Sequence, residues 1–110
     1  MDTRLLTGTI EMLVLDVLAR GESYGYAIAQ TVLARSTGRF DLNEGSLYPA
    51  LHRLERQELI AARWDEASGG RPRKYYRLTP AGRAALEAKR EEWNRFSAAV
   101  DSVLAPQPLA

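Results

Sequence analysis

Apolar residues recur at helical spacing from the start of the chain. Leu6, Ile10, Leu13, Val14, Val17 and Leu18 follow an i, i+4, i+7, i+8 rhythm, which predicts a first helix with one core face. Leu5, Met12, Leu15 and Ala19 form a second apolar face on the opposite flank. A small domain has little material to cover both, so the second face is expected to meet another subunit. Gly21 is placed to end this helix and Ser23 to cap the next, in which Tyr24, Ala27, Ile28, Thr31 and Val32 repeat as far as Arg35 before Gly38. Asn43 then caps a third predicted helix with Leu47, Leu51 and Leu54 on its inner side.

The period changes after that helix. Leu59 to Trp64 reads as extended, with Ile60, Ala62 and Trp64 on one face, and Arg73 to Leu78 alternates Lys74, Tyr76 and Leu78 against Arg73, Tyr75 and Arg77. The glycine- and proline-bearing run between them predicts the tip of a β-hairpin. Thr79 followed by Pro80 starts a last helix, with a hydroxyl cap and a proline whose missing N–H costs nothing at the first position. It runs to Leu104 and would be roughly 37 Å long, beyond the roughly 34 Å span of a sphere-like domain of this size. Leu86, Trp93 and Val100 lie seven apart, as do Phe96 and Val103, which is the seam of a helix that packs on another chain. The expected dimer interface is therefore Leu5, Met12, Leu15, Leu86, Trp93, Phe96, Val100 and Val103.

The expected fold class is mainly α with a β-hairpin. Residues 1–79 read as a winged helix-turn-helix domain, 80–104 as a long C-terminal dimerisation helix and 105–110 as a flexible tail marked by Pro106 and Pro108. The 110 residues allow one domain, and 45% hydrophobic with 26% charged residues is a globular composition. There is no cysteine and a single histidine, His52, so a Cys/His metal site cannot be assembled within one chain and no cofactor is expected. Glu11 and Asp16 interrupt the most apolar stretch, which is too short to span a membrane, and no signal peptide is evident; a cytoplasmic location is expected.

Charge sharpens this picture. The net charge is only +1, but residues 71–90 carry seven basic side chains against Glu87 alone. Such a concentrated field attracts polyanions. In the third helix, the side opposite the leucines presents Gly45, Pro49, His52 and Arg56, flanked by Ser46, Tyr48 and Arg53. These are small residues that permit close approach, hydrogen-bonding groups for phosphates or base edges, and cations. Pro49 either starts the helix late, with Tyr48 as its cap, or gives an irregular turn shaped for a groove. At the hairpin tip, Ser68, Gly69 and Gly70 adjoin Arg71, Arg73 and Lys74, a mobile cationic wing suited to phosphate contact. Gly69-Gly70 lacks the spacing of a nucleotide-binding loop.

The run from Leu42 to Glu55 containing Leu47-Tyr48-Pro49-Ala50-Leu51, together with Gly69-Gly70-Arg71-Pro72-Arg73-Lys74-Tyr75-Tyr76-Arg77-Leu78-Thr79, resembles the PadR family of bacterial transcriptional regulators. Ser23-Tyr24-Gly25-Tyr26 is similar as well, and the likeness covers essentially the whole chain, in the short branch with one C-terminal helix. It implies a homodimeric winged-helix repressor on a palindromic operator, commonly of detoxification, phenolic-acid or efflux genes. It also implies DNA contacts from Ser46, Tyr48, Pro49 and Arg53 and from Gly70, Arg71 and Arg73 of the wing, with Pro49 inside the helix; Tyr24, His52 and Lys74 complete the expected DNA-contact set. Trp93 matches a tryptophan that in some short-branch members stacks on flat aromatic ligands at the dimer interface; Met12 and Ser97 would be its neighbours.

Two other classes compete with a repressor. An enzyme would need a nucleophile, a paired carboxylate or a metal cluster near His52, and the sequence provides none. A winged helix can also serve only as a protein-docking module without sequence-specific DNA binding.

Overall fold

The computed structural model describes residues 7–66 and 70–106. Leu5, Leu6, Ser68, Gly69 and Pro108, singled out in the sequence, lie outside them. The elements run α1 (Thr7–Ala19), β1 (Ser23–Tyr24), α2 (Gly25–Arg35), α3 (Glu44–Arg56), β2 (Ile60–Asp65), β3 (Arg73–Leu78) and α4 (Pro80–Leu104). Four helices and a small sheet give the winged-helix architecture expected from the sequence, with the long C-terminal helix in place.

Helix α1 is the centre of the molecule. Val14 and Leu15 are fully buried, and Ile10 and Leu18 nearly so, against a core that includes Ile28, Val32, Leu47, Leu51, Leu54, Ile60, Tyr76 and Leu86. Each such side chain contributes about 1.5–3 kcal/mol when fully withdrawn from water. Leu15 and Leu86 are therefore corrected from interface to core, because α1 is covered on several sides by the chain's own α2, α3, β3 and α4. Met12 and Leu13 are only half-buried, so the exposed side of α1 is narrower than a full second face.

Two carboxylates on α1 hold the other helices. Asp16 accepts from Arg20 just past the end of α1 (3.2 Å), approaches Arg35 at the end of α2 (3.6 Å) and pairs with Arg90 on α4. Glu11 accepts from Arg53 of α3 at 2.7 Å and lies 4.0 Å from Lys89 of α4. The two acids that break the apolar run thus bridge α1 to each of the other three helices.

The sheet has one more strand than a hairpin. Ser23 and Tyr24 pair antiparallel with Tyr76 and Tyr75, giving the order β1-β3-β2. Ser23 is consequently a strand residue and not the cap of α2; Tyr24 occupies the cap position without a side-chain bond to the helix. Asn43 does cap α3, its Oδ1 accepting from the Ser46 N–H at 2.9 Å. Helix α3 begins at Glu44, so Pro49 lies within the helix and the late start at Tyr48 does not occur. The helix ends with Glu58 at φ 60° and the Leu59 N–H donating to the Leu54 carbonyl, a left-handed turn made without glycine.

The root of α4 is locked onto the base of the wing. Thr79 Oγ1 accepts from the Gly82 N–H at 3.0 Å and donates toward the Leu59 carbonyl, which also receives the Thr79 N–H at 3.1 Å. Gly82 lies so close that a Cβ there would sit 1.9 Å from the Leu59 carbonyl oxygen. Helix α4 stays on α1 through Lys89 and Arg90, which reach Glu11 and Asp16, and beyond Trp93 it leaves the body; the radius of gyration is 16.5 Å against about 13 Å for a compact chain of this length. Gly82→Ala should lower stability by about 1–3 kcal/mol through forced displacement of packed backbone, read as a lower urea midpoint; an unchanged midpoint would refute the close approach.

Candidate nucleic-acid interface

The outer side of α3 is open as the leucine spacing requires. Leu47, Ala50, Leu51 and Leu54 point inward, and Gly45, Pro49, His52 and Arg56 are exposed on the other side. Tyr48, 42% exposed, leans on the α2 start: a Cβ on Gly25 would meet its hydroxyl at 3.1 Å. A glycine at the first position of α2 therefore makes the seat for this tyrosine. Ser46 is half-buried beside the cap.

Ion pairs strap α3 on both flanks. On one side Arg53 Nε donates to Glu11 Oε1 of α1. On the other, Lys74 Nζ of β3 donates to Glu55 Oε1 at 3.2 Å. Burial discourages the Lys74 ammonium, but the Glu55 hydrogen bond and the fields of Tyr76 and Glu55 outweigh it, leaving its pKa above the ordinary lysine value. Burial also pushes the Tyr76 hydroxyl upward. Arg53 and Lys74 are thus not free cations beside the outer face of α3 but are engaged within the fold.

The wing stands beside this helix. Its strands pair Ile60 with Leu78 through to Asp65 with Arg73. The Arg73 guanidinium lies 4.5 Å from the centre of the Tyr24 ring, and Tyr24 meets Tyr75 edge-on at 5.3 Å. Arg63 stacks over Tyr75 and donates to both oxygens of Glu22 at 2.9 and 2.6 Å, a hydrogen bond that holds the Glu22 carboxyl below its ordinary pKa. Arg71 and Arg73 are exposed, and Gly70 has φ 100°, a backbone conformation suited to glycine.

Between α3 and the wing runs a groove of about 440 Å³ bordered by Tyr24, Tyr26, Tyr48, His52, Trp64 and Arg73. The fold therefore brings together Tyr24, Tyr48, His52, Arg73 and Lys74 from the expected DNA-contact set, whereas Arg53 lies on the far flank. Tyr26 and Trp64, 68% and 64% exposed, were missed. Strand alternation put Trp64 on the same face as Ile60; the wing extends past the body before the core can cover it. The exposure of Tyr26, one helical residue after Gly25, has a sequence signal only in its place beside the resembling Ser23-Tyr24-Gly25 motif.

A second set of grooves flanks Trp93 between α1 and α4. One, of about 340 Å³, is lined by Met12, Lys89, Glu92, Trp93 and Phe96 among others; the other, of about 250 Å³, involves Met12, Arg20, Arg90 and Trp93. Trp93 and Phe96 meet at a tilt of 34° with ring centres 6.0 Å apart. Ser97 turns its hydroxyl back to the Asn94 carbonyl and borders neither groove. Among the described residues, no cluster of His, Asp or Glu could hold a metal ion, and no helix is long and apolar enough to cross a membrane.

A third helix with an open outer side, placed next to a cationic two-stranded wing, defines a winged helix-turn-helix protein. Residues 14–88 match the transcriptional regulator PadR-like family, and the chain belongs to that family of transcription regulators. It is 37% identical over 81 residues to a transcriptional regulator of Mycobacterium tuberculosis, a match that takes in 74% of this chain and 72% of that one. A transcriptional regulator of Clostridium thermocellum superposes with a TM-score of 0.86 at 28% identity, over 93% of this chain and 99% of the other. A PadR family regulator of Clostridium difficile superposes with a TM-score of 0.74 at 37% identity, over 87% and 98%. Some curated relatives are longer, and the chain spans 39% and 28% of the length of two of them.

Proposed function

We propose that this regulator is a homodimeric, cytoplasmic DNA-binding repressor that reads a palindromic operator with α3 and the wing. The observation that carries the reading is the shared exposure of Gly45, Pro49, His52 and Arg56 on α3 beside Arg71 and Arg73 on the wing. Small residues let α3 approach the major groove closely, and the wing cations take phosphates. The residues that would touch DNA are then Tyr24, Ser46, Tyr48, Pro49, His52, Gly70, Arg71 and Arg73, with Arg53 and Lys74 available only if their internal ion pairs open.

Dimerisation is supported by the part of α4 that leaves the body. Trp93, Phe96, Val100 and Val103 are 46%, 61%, 38% and 81% exposed and repeat at alternating spacings of three and four, the seam of a helix that pairs with a second copy. Two-fold symmetry in the protein is mirrored by a palindromic site, with half-sites about 34–36 Å apart. The grooves on either side of Trp93 support an effector site for a planar aromatic or phenolic compound, bordered by Met12 and Trp93, whose occupation would release the DNA.

The decisive experiment is a titration of the full chain against its own upstream DNA across a salt series. Sequence-selective binding that weakens steeply with salt is expected, and its absence at low salt would favour a docking module. Arg71→Ala should weaken binding to all sequences and flatten the log–log salt slope by about one for each phosphate that is no longer neutralised; an unchanged slope removes the wing from the mechanism. Phe96→Glu with Val103→Glu should sediment as a monomer, and a surviving dimer would displace the interface from α4. Planar aromatic compounds should quench the tryptophan emission of the wild-type chain but not of Trp93→Phe, and quenching retained in that variant would discard the effector site.

A further inference from the structure

The position of Arg53 poses a chemical question that the DNA-reading surface does not answer. Its Cα belongs to the reading helix, one turn after Pro49 and one turn before Arg56, both exposed on the outer side. Yet its guanidinium is turned toward α1, where Nε donates to Glu11 Oε1 at 2.7 Å. The Nε edge is one that arginine offers to a phosphate, so carboxylate and phosphate compete for the same donor. The Glu11 side chain is only 13% exposed, and its other oxygen lies 4.0 Å from Lys89 Nζ of α4. Partial burial shields this pair from the salt that weakens surface pairs.

We propose that Glu11 is an internal competitor for the phosphates of bound DNA: it holds Arg53 of the reading helix onto α1 and so sets DNA affinity below what α3 alone would supply. The inference rests on the DNA-binding function proposed for α3 and the wing. Arg53 reaches a phosphate only by leaving Glu11, and a partly buried carboxylate that loses one cation partner opposes that exchange. Glu11 is then a positioning residue that acts on DNA through Arg53. The sharing of its carboxylate with Lys89, which borders the groove beside Trp93, ties the same restraint to α4.

The test uses the full chain and a duplex selected from random-sequence DNA by the wild-type protein. Glu11→Gln keeps the shape and removes the charge. It should bind about three- to tenfold more tightly at moderate salt, with a log–log salt slope steeper by about one per protomer as Arg53 gains a phosphate. Arg53→Ala should have little effect in the wild-type background but erase the gain in the Glu11→Gln background, a coupling that altered stability alone does not produce. Should Glu11→Gln not fold, Glu11→Asp retains the charge but withdraws it from Arg53, and a smaller change in the same direction is expected. Unchanged or weaker binding at an unchanged salt slope overturns the proposal. A wild-type chain that selects no duplex overturns the DNA-binding function itself, and this inference falls with it.

Discussion

The structure depends on how α1 is buried. A helix at the centre of a small domain must satisfy neighbours on several sides, and α1 does so with a nearly continuous apolar surface broken by Glu11 and Asp16. The apolar positions supply the driving force but little direction, since burial of hydrocarbon is insensitive to orientation. The two carboxylates supply direction. Asp16 gathers arginines from the turn after α1, from α2 and from α4, and Glu11 joins α3 to α4. Removing one member of such a partly buried group leaves the others uncompensated, so the angles of α3 and α4 about α1 are linked.

That linkage matters because α3 and α4 face different tasks. Helix α3 offers its outer side next to the wing, and α4 carries an exposed apolar seam away from the body. The Thr79–Gly82–Leu59 junction prevents the two from moving independently at the wing base: α4 is rooted on the same carbonyl that ends the α3-to-β2 turn. Whatever meets the α4 seam is thereby connected to α3 through α1 and through the wing base. The aromatic groove of Tyr26, Tyr48 and Trp64 adds apolar surface where composition alone emphasised cations.

Much of this was legible along the chain because local signals act over a few residues. The Asn43 and Thr79 caps, the Leu47, Leu51 and Leu54 face, the second hairpin strand from Arg73 to Leu78 and the extent of α4 from Pro80 to Leu104 follow from capping chemistry and period, and all stand in the structure. Local signals failed where a distant partner intervened. Ser23 looks like a cap but pairs with Tyr76 more than fifty positions away, and the left-handed turn at Glu58 carries no glycine to announce it. Trp64 alternates with core residues, yet its strand runs out beyond the core.

The sequence by itself determined the order of elements, the leucine face of the third helix and the cationic run of the wing, since each depends on residues adjacent in the chain or one helical turn apart. Only the tertiary structure decided which cations remain available. Arg53 and Arg56 are three positions apart on one helix, but α1 brings a carboxylate to the first and not to the second. It likewise decided that Leu15 and Leu86 belong to the core while Trp93 and Phe96 do not. The physical reason is the same: burial and charge pairing are set by what lies across the fold, and periodicity reports only which residues share a face.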